Sequence, residues 1–260
     1  MIEHPSVRHV NFTGSVPTGR KVAKICGENL KPCIMELGGK NPAIVLEDAD
    51  LAKAAGECVA GAFLNAGQIC MGTDRIFVHD SVAPKFLEVI KATLEAMSKE
   101  GPSAPQNVHS AASKTRLAKL INDAISQGAQ LVAGTISQDA SPSTFTPTIL
   151  TNVSPKSTLY SEEAFGPLAD IRIFSTEDEV IKMANSTPYG LHAAVFTKDL
   201  RKGLAMAKRI EAGAVHINSM TVHDEPALPM GGMKNSGWGR FNAEEGMDAF
   251  LQRKAVTWDD

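Results

Sequence analysis

Residues 171–218, IRIFSTEDEVIKMANSTPYGLHAAVFTKDLRKGLAMAKRIEAGAVHIN, read as strand, helix, strand, helix, strand. IRIF, HAAVFT and AVHIN are short apolar runs rich in β-branched and aromatic residues. DEVIKMANS and LRKGLAMAKRIEAG instead space their apolar side chains at helical intervals. Runs that are apolar throughout suit strands buried on both faces, and the intervening helices serve as crossovers. The alternation therefore implies a largely parallel sheet covered by helices.

Working towards the N-terminus, the same alternation returns. VRHVNF (7–12) reads as a strand, TGSVPTG (13–19) as a turn, RKVAKICGENL (20–30) as a helix with Val22, Ile25 and Cys26 on one face, and PCIMEL (32–37) as a second strand. NPAIVL (41–46) is another buried strand, DLAKAAGECVAGAFLNA (50–66) a helix of small residues and RIFVH (75–79) a further strand. Ser81 is the expected cap of a helix running to Lys99, with Phe86, Val89, Ile90, Leu94 and Met97 as its buried stripe. A helix over 113–127 leads into QLVA (130–133). The Ser/Thr/Pro-rich stretch 134–146 reads as an exposed loop inside a domain. Residues 224–240 are rich in Pro, Gly and Met and predict irregular structure, and AFLQRKAVTW (249–258) predicts a helix end followed by a strand.

A chain of 260 residues with 43% hydrophobic composition can bury a sizeable core. Its 26 basic and 29 acidic residues give a net charge of −3 and form neither a basic stripe for nucleic acid nor a polybasic run for a membrane. No apolar window approaches the roughly 18 to 20 residues of a membrane span, so a cytoplasmic chain acting on small molecules or pairing with its own copies is expected. The four cysteines Cys26, Cys33, Cys58 and Cys70 lack C-x-x-C spacing and have no histidine cluster beside them, which predicts reduced thiols and no metal site.

Two residues carry the expected chemistry. Glu36 closes the apolar run PCIM and is followed by Gly38 and Gly39, where a backbone without side chains admits close approach. Cys70 follows Gly67 and Gln68 at the end of a small-residue segment, just before a turn, whereas the other three cysteines lie within apolar patterns that suit packing. A thiolate adds to a carbonyl, and a carboxylate within reach activates water to cleave the resulting thioester. Gly14 and Gly19 bracket a turn opening a helix, where amides and the helix dipole suit phosphate. In EEAFGP, Glu163 can bind a hydroxyl pair and Phe165 can pack on a ligand. The seven histidines are scattered and read as solvated or hydrogen-bonded.

FTGS, ELGGK, GQICM, EEAFGP, NSTPYGL, GAVHIN and PMGGMKNSGWGR occur in the order found in NAD(P)-dependent aldehyde dehydrogenases, and the chain resembles that family from end to end. GQICMGTDR and HDEPALPMGGMKNSGWGRF are most similar to the branch acting on aromatic aldehydes such as vanillin or salicylaldehyde. The resemblance implies an α/β fold: a catalytic domain at 39–236, a remnant β-α-β of the Rossmann-like cofactor domain at 1–38, and a tail at 237–260 whose strand supports homo-oligomers. It implies Cys70 as nucleophile and Glu36 as general base. NAD or NADP would be bound by Gly14, Ser15, Gly19, Leu37, Glu163 and Phe165, with Asn218 and the PMGGMK segment shaping the substrate end.

The family also uses a P-W-N segment, whose asparagine holds the oxyanion, and this sequence has none. The resemblance thus implies an N-terminally shortened member, in which a cofactor-independent thiol esterase and a non-catalytic partner of longer copies stand as alternatives.

Overall fold

The computed structural model describes residues 1–97, 104–135 and 141–260. The chain opens with β1 (Val10–Thr13), α1 (Val16–Glu28) and β2 (Cys33–Glu36), a β-α-β unit whose two strands run parallel with Thr13 opposite Glu36. Pro17 in the first turn of α1 draws the helix start forward to Val16, because proline's fixed φ suits that position. Gly19 therefore lies inside the helix and not in a turn.

The chain continues through β3 (Asn41–Val45), α2 (Leu51–Phe63), β4 (Thr73–His79), α3 (Ala83–Ala96), β5 (Gln106–Asn107), α4 (Ala111–Ser126), β6 (Gln130–Ala133), β7 (Thr144–Phe145), β8 (Thr148–Thr151), α5 (Thr158–Ser161), β9 (Leu168–Phe174), α6 (Glu177–Asn185), β10 (His192–Phe196), α7 (Leu200–Ala207) and β11 (Ala214–Ile217). The short strands β5 and β7 pair with each other, and the other strands of this stretch form a seven-stranded sheet of order β11-β10-β3-β4-β9-β8-β6, parallel throughout except for the antiparallel edge pair β6 and β8. Strand alternation divides the core between the two faces. Ala43, Val45, Ile76 and Val78 pack with α2 and α3, whereas Ile44, Phe77, Ala193 and Val195 pack with residues of α6 and α7. Small side chains let α2 lie close to the sheet, and Asp50 caps it by accepting from the amides of Ala52 and Lys53.

Arg75 is buried within the sheet and satisfied by carbonyls: its guanidinium donates to Lys40 O, Met183 O and Ala184 O at 2.9, 3.1 and 3.0 Å. The last two belong to the C-terminal turn of α6, whose carbonyls lack intrahelical partners. The arginine thus fastens a helix end to the strand that follows the Cys70 turn.

The chain closes with β12 (Gly237–Trp238) and α8 (Ala243–Asp248). β12 returns to pair antiparallel with β2, completing a three-stranded sheet β1-β2-β12.

Several sequence expectations are corrected. Ser81 does not cap α3, because its hydroxyl bonds to His79 Nδ1 at 2.8 Å and the helix begins at Ala83 ahead of Pro84. Residues 98 and 99 of the expected helix lie outside the described residues. The stretch 134–146 is not a plain exposed loop, since Thr144–Phe145 pairs with β5 and Phe145 is fully buried, a burial worth roughly 1.5–3 kcal/mol; residues 136–140 lie outside the described residues. The strand expected in 249–258 is not formed: residues 251–260 carry no secondary structure and are exposed, because a strand exists only against a neighbour. Among the described residues no helix is long and apolar enough to cross a membrane.

Candidate active site

Glu36 ends β2 in the middle strand of the three-stranded sheet, and its main chain is held from both sides. Gly14 N donates to Glu36 O at 3.1 Å, Gly237 lies opposite Glu36 in β12, and Leu37 N donates to Ser236 O at 2.9 Å. Ser236 is itself bolted in place, its hydroxyl donating to Gly38 O at 2.7 Å and accepting from Gly190 N at 2.9 Å. The two glycines after the base are required by close approach. A Cβ at Gly38 would sit 2.1 Å from Glu163 Oε2, and one at Gly39 would sit 2.7 Å from Cys70 O.

Cys70 is delivered by an unusual descent from α2. Asn65, Ala66 and Gly67 are consecutively left-handed, with φ of 52°, 55° and 63°. Gln106 stabilises this bend, its side chain accepting from Ala66 N at 2.8 Å and donating to Phe63 O at 3.0 Å. Gln68 accepts from His109 N at 2.6 Å. Beyond the thiol, the fully buried Asn41 donates to both Cys70 O and Gly72 O at 2.8 Å and accepts from His192 N at 3.0 Å. The turn carrying Cys70 is thus pinned on both sides.

These elements bring the thiol and the base together: Cys70 Sγ donates to Glu36 Oε1 at 2.6 Å, while Thr13 Oγ1 donates to Glu36 Oε2 at 3.1 Å. Burial raises the pKa of the Cys70 thiol, and the neighbouring Glu36 and Glu163 carboxylates raise it further, with only the Met71 amide pulling the other way. In this arrangement the thiol keeps its proton and the carboxylate is placed to remove it.

Glu163 lies on the opposite wall. It accepts from Gly39 N at 3.1 Å, and its pKa is raised to about 7 by burial and by Asp74, against the pull of Gly39 N, Lys40 and Arg116. Asp74 is committed below it, paired with Lys40 at 3.2 Å and accepting from Ala164 N at 3.0 Å. Arg116, on α4, donates to the carbonyls of Glu163 and Ala164 and so anchors the segment that leads to Phe165, whose own φ is 43°.

A cavity of about 700 Å³ opens between these walls, lined among others by Gly14, Ser15, Glu36, Leu37, Cys70, Glu163 and Phe165. That volume is typical of sites for small molecules and cofactors, about 300–1,000 Å³. Seven of the eight residues expected from sequence to act in catalysis or hold the cofactor therefore line one cavity. Gly19 does not line this cavity. Its amide is spent on Ser15 O at 2.8 Å, and its Cα packs on Leu37, where a Cβ would meet Cδ2 at 2.6 Å.

Asn218 and PMGGMK also lie elsewhere. Asn218 spends its amide on Thr197, accepting from its N–H at 3.0 Å and donating to its carbonyl at 2.8 Å. Met230 pairs with Phe241, and Lys234 bonds to Asn185 O at 2.9 Å and to Glu211. The segment is fastened to Phe241, to Gly190 and to the end of α6, and does not line the cavity that holds Cys70.

Thr13, Ile69 and Arg116 line the cavity and were not singled out from sequence. Thr13 was legible in principle, because pairing FT with ME in parallel register puts it opposite Glu36. Arg116 offered no local signal. The histidines also assemble beyond expectation: His192, His216 and His223 form a stack with ring centroids 5.2 and 4.8 Å apart. Burial lowers the pKa of both His192 and His216 to about 4. Among the described residues, no group of three or more His, Cys, Asp or Glu is arranged to hold a metal ion.

The fold and cavity describe an α/β protein with a thiol facing a carboxylate beside a β-α-β unit. The profile of the Aldehyde dehydrogenase family matches residues 1–256, and this chain belongs to that family. It is 41% identical to vanillin dehydrogenase of Pseudomonas fluorescens over 261 residues, an alignment covering 99% of this chain and 54% of the relative. Salicylaldehyde dehydrogenase from Pseudomonas putida G7, solved with salicylaldehyde, superposes with a TM-score of 0.87 at 36% identity, covering 98% of this chain and 55% of that one. An aldehyde dehydrogenase of Mycobacterium tuberculosis complexed with NAD+ superposes with a TM-score of 0.89 at 36% identity, covering 97% and 53%. The chain thus spans about half the length of the relatives it matches. Relatives named for aromatic aldehydes agree with the branch whose motif wording the sequence resembles.

Proposed function

We propose that this cavity oxidises an aromatic aldehyde to its carboxylic acid through a Cys70 thioester, with NAD or NADP as hydride acceptor. The observation that carries the reading is the 2.6 Å contact between the Cys70 thiol and Glu36. Cys70 Sγ attacks the aldehyde carbon as its proton passes to Glu36 Oε1. The backbone N–H of Cys70 serves as a donor to the oxyanion, a role commonly worth 100- to 1,000-fold in rate, or about 2.7–4 kcal/mol. NAD or NADP, which Gly14, Ser15, Leu37, Glu163 and Phe165 would hold, would supply the hydride acceptor that lets the Cys70 adduct become a thioester. Glu36 gives the thiol proton up to solvent and then takes a proton from water; hydroxide adds to the thioester, the C–S bond breaks to release the acid, and Glu36 returns its proton to the departing Cys70 sulfur.

The cavity suits the nicotinamide end of the cofactor. Glu163 is an acceptor for ribose hydroxyls, the partly exposed Phe165 ring offers a packing face, and Gly14, Ser15 and Leu37 border the start of α1, whose first amides lack intrahelical acceptors. On this reading residues 1–38 belong to the cofactor domain and 39–236 to the catalytic domain. The segment 237–260 supplies β12 and a strand that pairs between copies in a cytoplasmic homo-oligomer. The aromatic substrate class is supported by the vanillin and salicylaldehyde relatives.

The decisive assay follows NAD(P)H formation from a panel of aromatic and aliphatic aldehydes, alongside hydrolysis of p-nitrophenyl acetate, which reads the acyl steps without a hydride acceptor. Cys70→Ala is expected to abolish both. Glu36→Gln is expected to slow both assays about 100- to 10,000-fold, because thiol attack and cleavage of the acyl-enzyme lose the same base. Turnover that survives Cys70→Ala overturns the assignment of the nucleophile.

A further inference from the structure

The Glu36 carboxylate is held by two partners on different elements. Oε1 takes the Cys70 thiol at 2.6 Å, and Oε2 takes the Thr13 hydroxyl at 3.1 Å. Thr13 has no freedom to wander, because it is the last residue of β1, stands opposite Glu36 in the parallel register, and precedes Gly14, whose amide bonds to Glu36 O. A glutamate with one anchor samples several rotamers. One with both oxygens taken is confined to the rotamer that faces the sulfur. Thr13 also lines the cavity, so its hydroxyl stands where an incoming ligand meets it.

We propose that Thr13 is a positioning residue: its hydroxyl latches Glu36 onto the Cys70 thiol, and loosening the latch both unmasks the thiol and disables the base. The inference rests on Cys70 and Glu36 being nucleophile and base, and adds how that pair is regulated. A carboxylate against a thiol holds the proton on sulfur, by charge and by accepting the S–H hydrogen bond. Released from Thr13, Glu36 spends part of its time turned away and the thiol ionises more readily. The same freedom removes the base from the position that activates water. The two consequences run in opposite directions, which general damage to the fold does not produce.

The test compares wild type, Thr13→Val and Thr13→Ser, each first checked for folding by circular dichroism and melting. Alkylation of Cys70 by iodoacetamide is followed between pH 6 and 10 by mass spectrometry of the Cys70 peptide, so that the other cysteines do not contribute. Thr13→Val is expected to shift the alkylation profile to lower pH by about 0.5 to 1 unit and so to label several-fold faster at neutral pH, while release of p-nitrophenol after the first turnover slows. Thr13→Ser keeps the hydroxyl and restores both. In a Glu36→Gln background the Thr13→Val shift disappears. A Thr13→Val profile that coincides with wild type or moves to higher pH overturns the latch, as does an undiminished shift in Glu36→Gln. Loss of the Cys70 assignment is seen separately, as turnover persisting in Cys70→Ala.

Discussion

At neutral pH the Glu163 carboxyl is divided between its two protonation states, since burial and Asp74 raise its pKa to about 7. The unfolded chain ionises this group near 4.5, the folded chain later. Stability from this group is therefore full below about pH 4.5 and is lost as pH rises through 7. Because the side chain is only partly buried in the accessible surface, solvent screening reduces the effect to about 1–2 kcal/mol. Glu163→Gln keeps an acceptor for Gly39 N and removes the ionisation. It is expected to raise stability to urea at pH 8 by about 1–2 kcal/mol and to leave it unchanged at pH 5. A gain of equal size at both values would place its origin in packing. Sequence made Glu163, Cys70 and Glu36 visible because each stood among glycines or beside an aromatic residue. Arg116 was invisible because its work is done on the carbonyls of residues 163 and 164, about 50 positions away on another element.

Between residue and molecule, the bend over Asn65–Gly67 and the histidine stack each make a prediction. Gly67 has φ +63°, and a Cβ there would meet Gly166 O at 2.3 Å. Gly67→Ala combines about 1 kcal/mol of left-handed strain with a backbone clash. It is expected to lower stability by roughly 2–4 kcal/mol in urea unfolding and to slow Cys70 alkylation, because the bend sets where the thiol turn sits. In the stack, the pKa values of His192 and His216 lie below the unfolded value of 6.5, at about 4. Their neutral forms are favoured by the fold, so stability is full above pH 6.5 and is lost as pH falls towards 4. His216→Gln, which cannot be charged, is expected to lose less stability than wild type between pH 7 and pH 4.5; equal losses in the two proteins would exclude the stack as the origin.

The helix and strand alternation was readable because apolar spacing is local. The bend was not, since LNAGQ carries no period, and the stack joins β10, β11 and the loop after it through contacts that no spacing encodes. Two-residue strands such as β5, β7 and β12 are likewise too short to leave a pattern.

Across the whole molecule, six of the seven strands of the larger sheet were read from the sequence; β8 (Thr148–Thr151) was not, because TILT is short and follows a Ser/Thr/Pro-rich stretch, and neither was the route of the C-terminal segment. GMKNSGW looks irregular, and its value lies in glycine: Gly237, at φ +113°, lies against Met35 O, where a Cβ would sit 1.9 Å away, so only glycine lets β12 reach β2. The last ten residues, by contrast, are exposed along their whole length and include Val256 and Trp258. Deleting residues 251–260 is expected to leave the melting temperature of the chain within about 1 °C, because little apolar area is lost from the core. Light scattering is expected to report a smaller assembly if this segment pairs between copies, and a large fall in melting temperature would show instead that it belongs to the core.

The return of β12 also sets a timetable. The strand that flanks Glu36 and the Ser236 carbonyl that fixes Leu37 are synthesised about 200 residues after Glu36 itself. At translation speeds of about 5–20 residues per second, that is an interval of roughly 10–40 s. During synthesis the base-bearing strand therefore waits with one edge open while the larger sheet forms beside it. The geometry around the base becomes final only once Gly237 has left the ribosome, so a nascent chain interrupted before it carries both reactive residues without the strand that sets them.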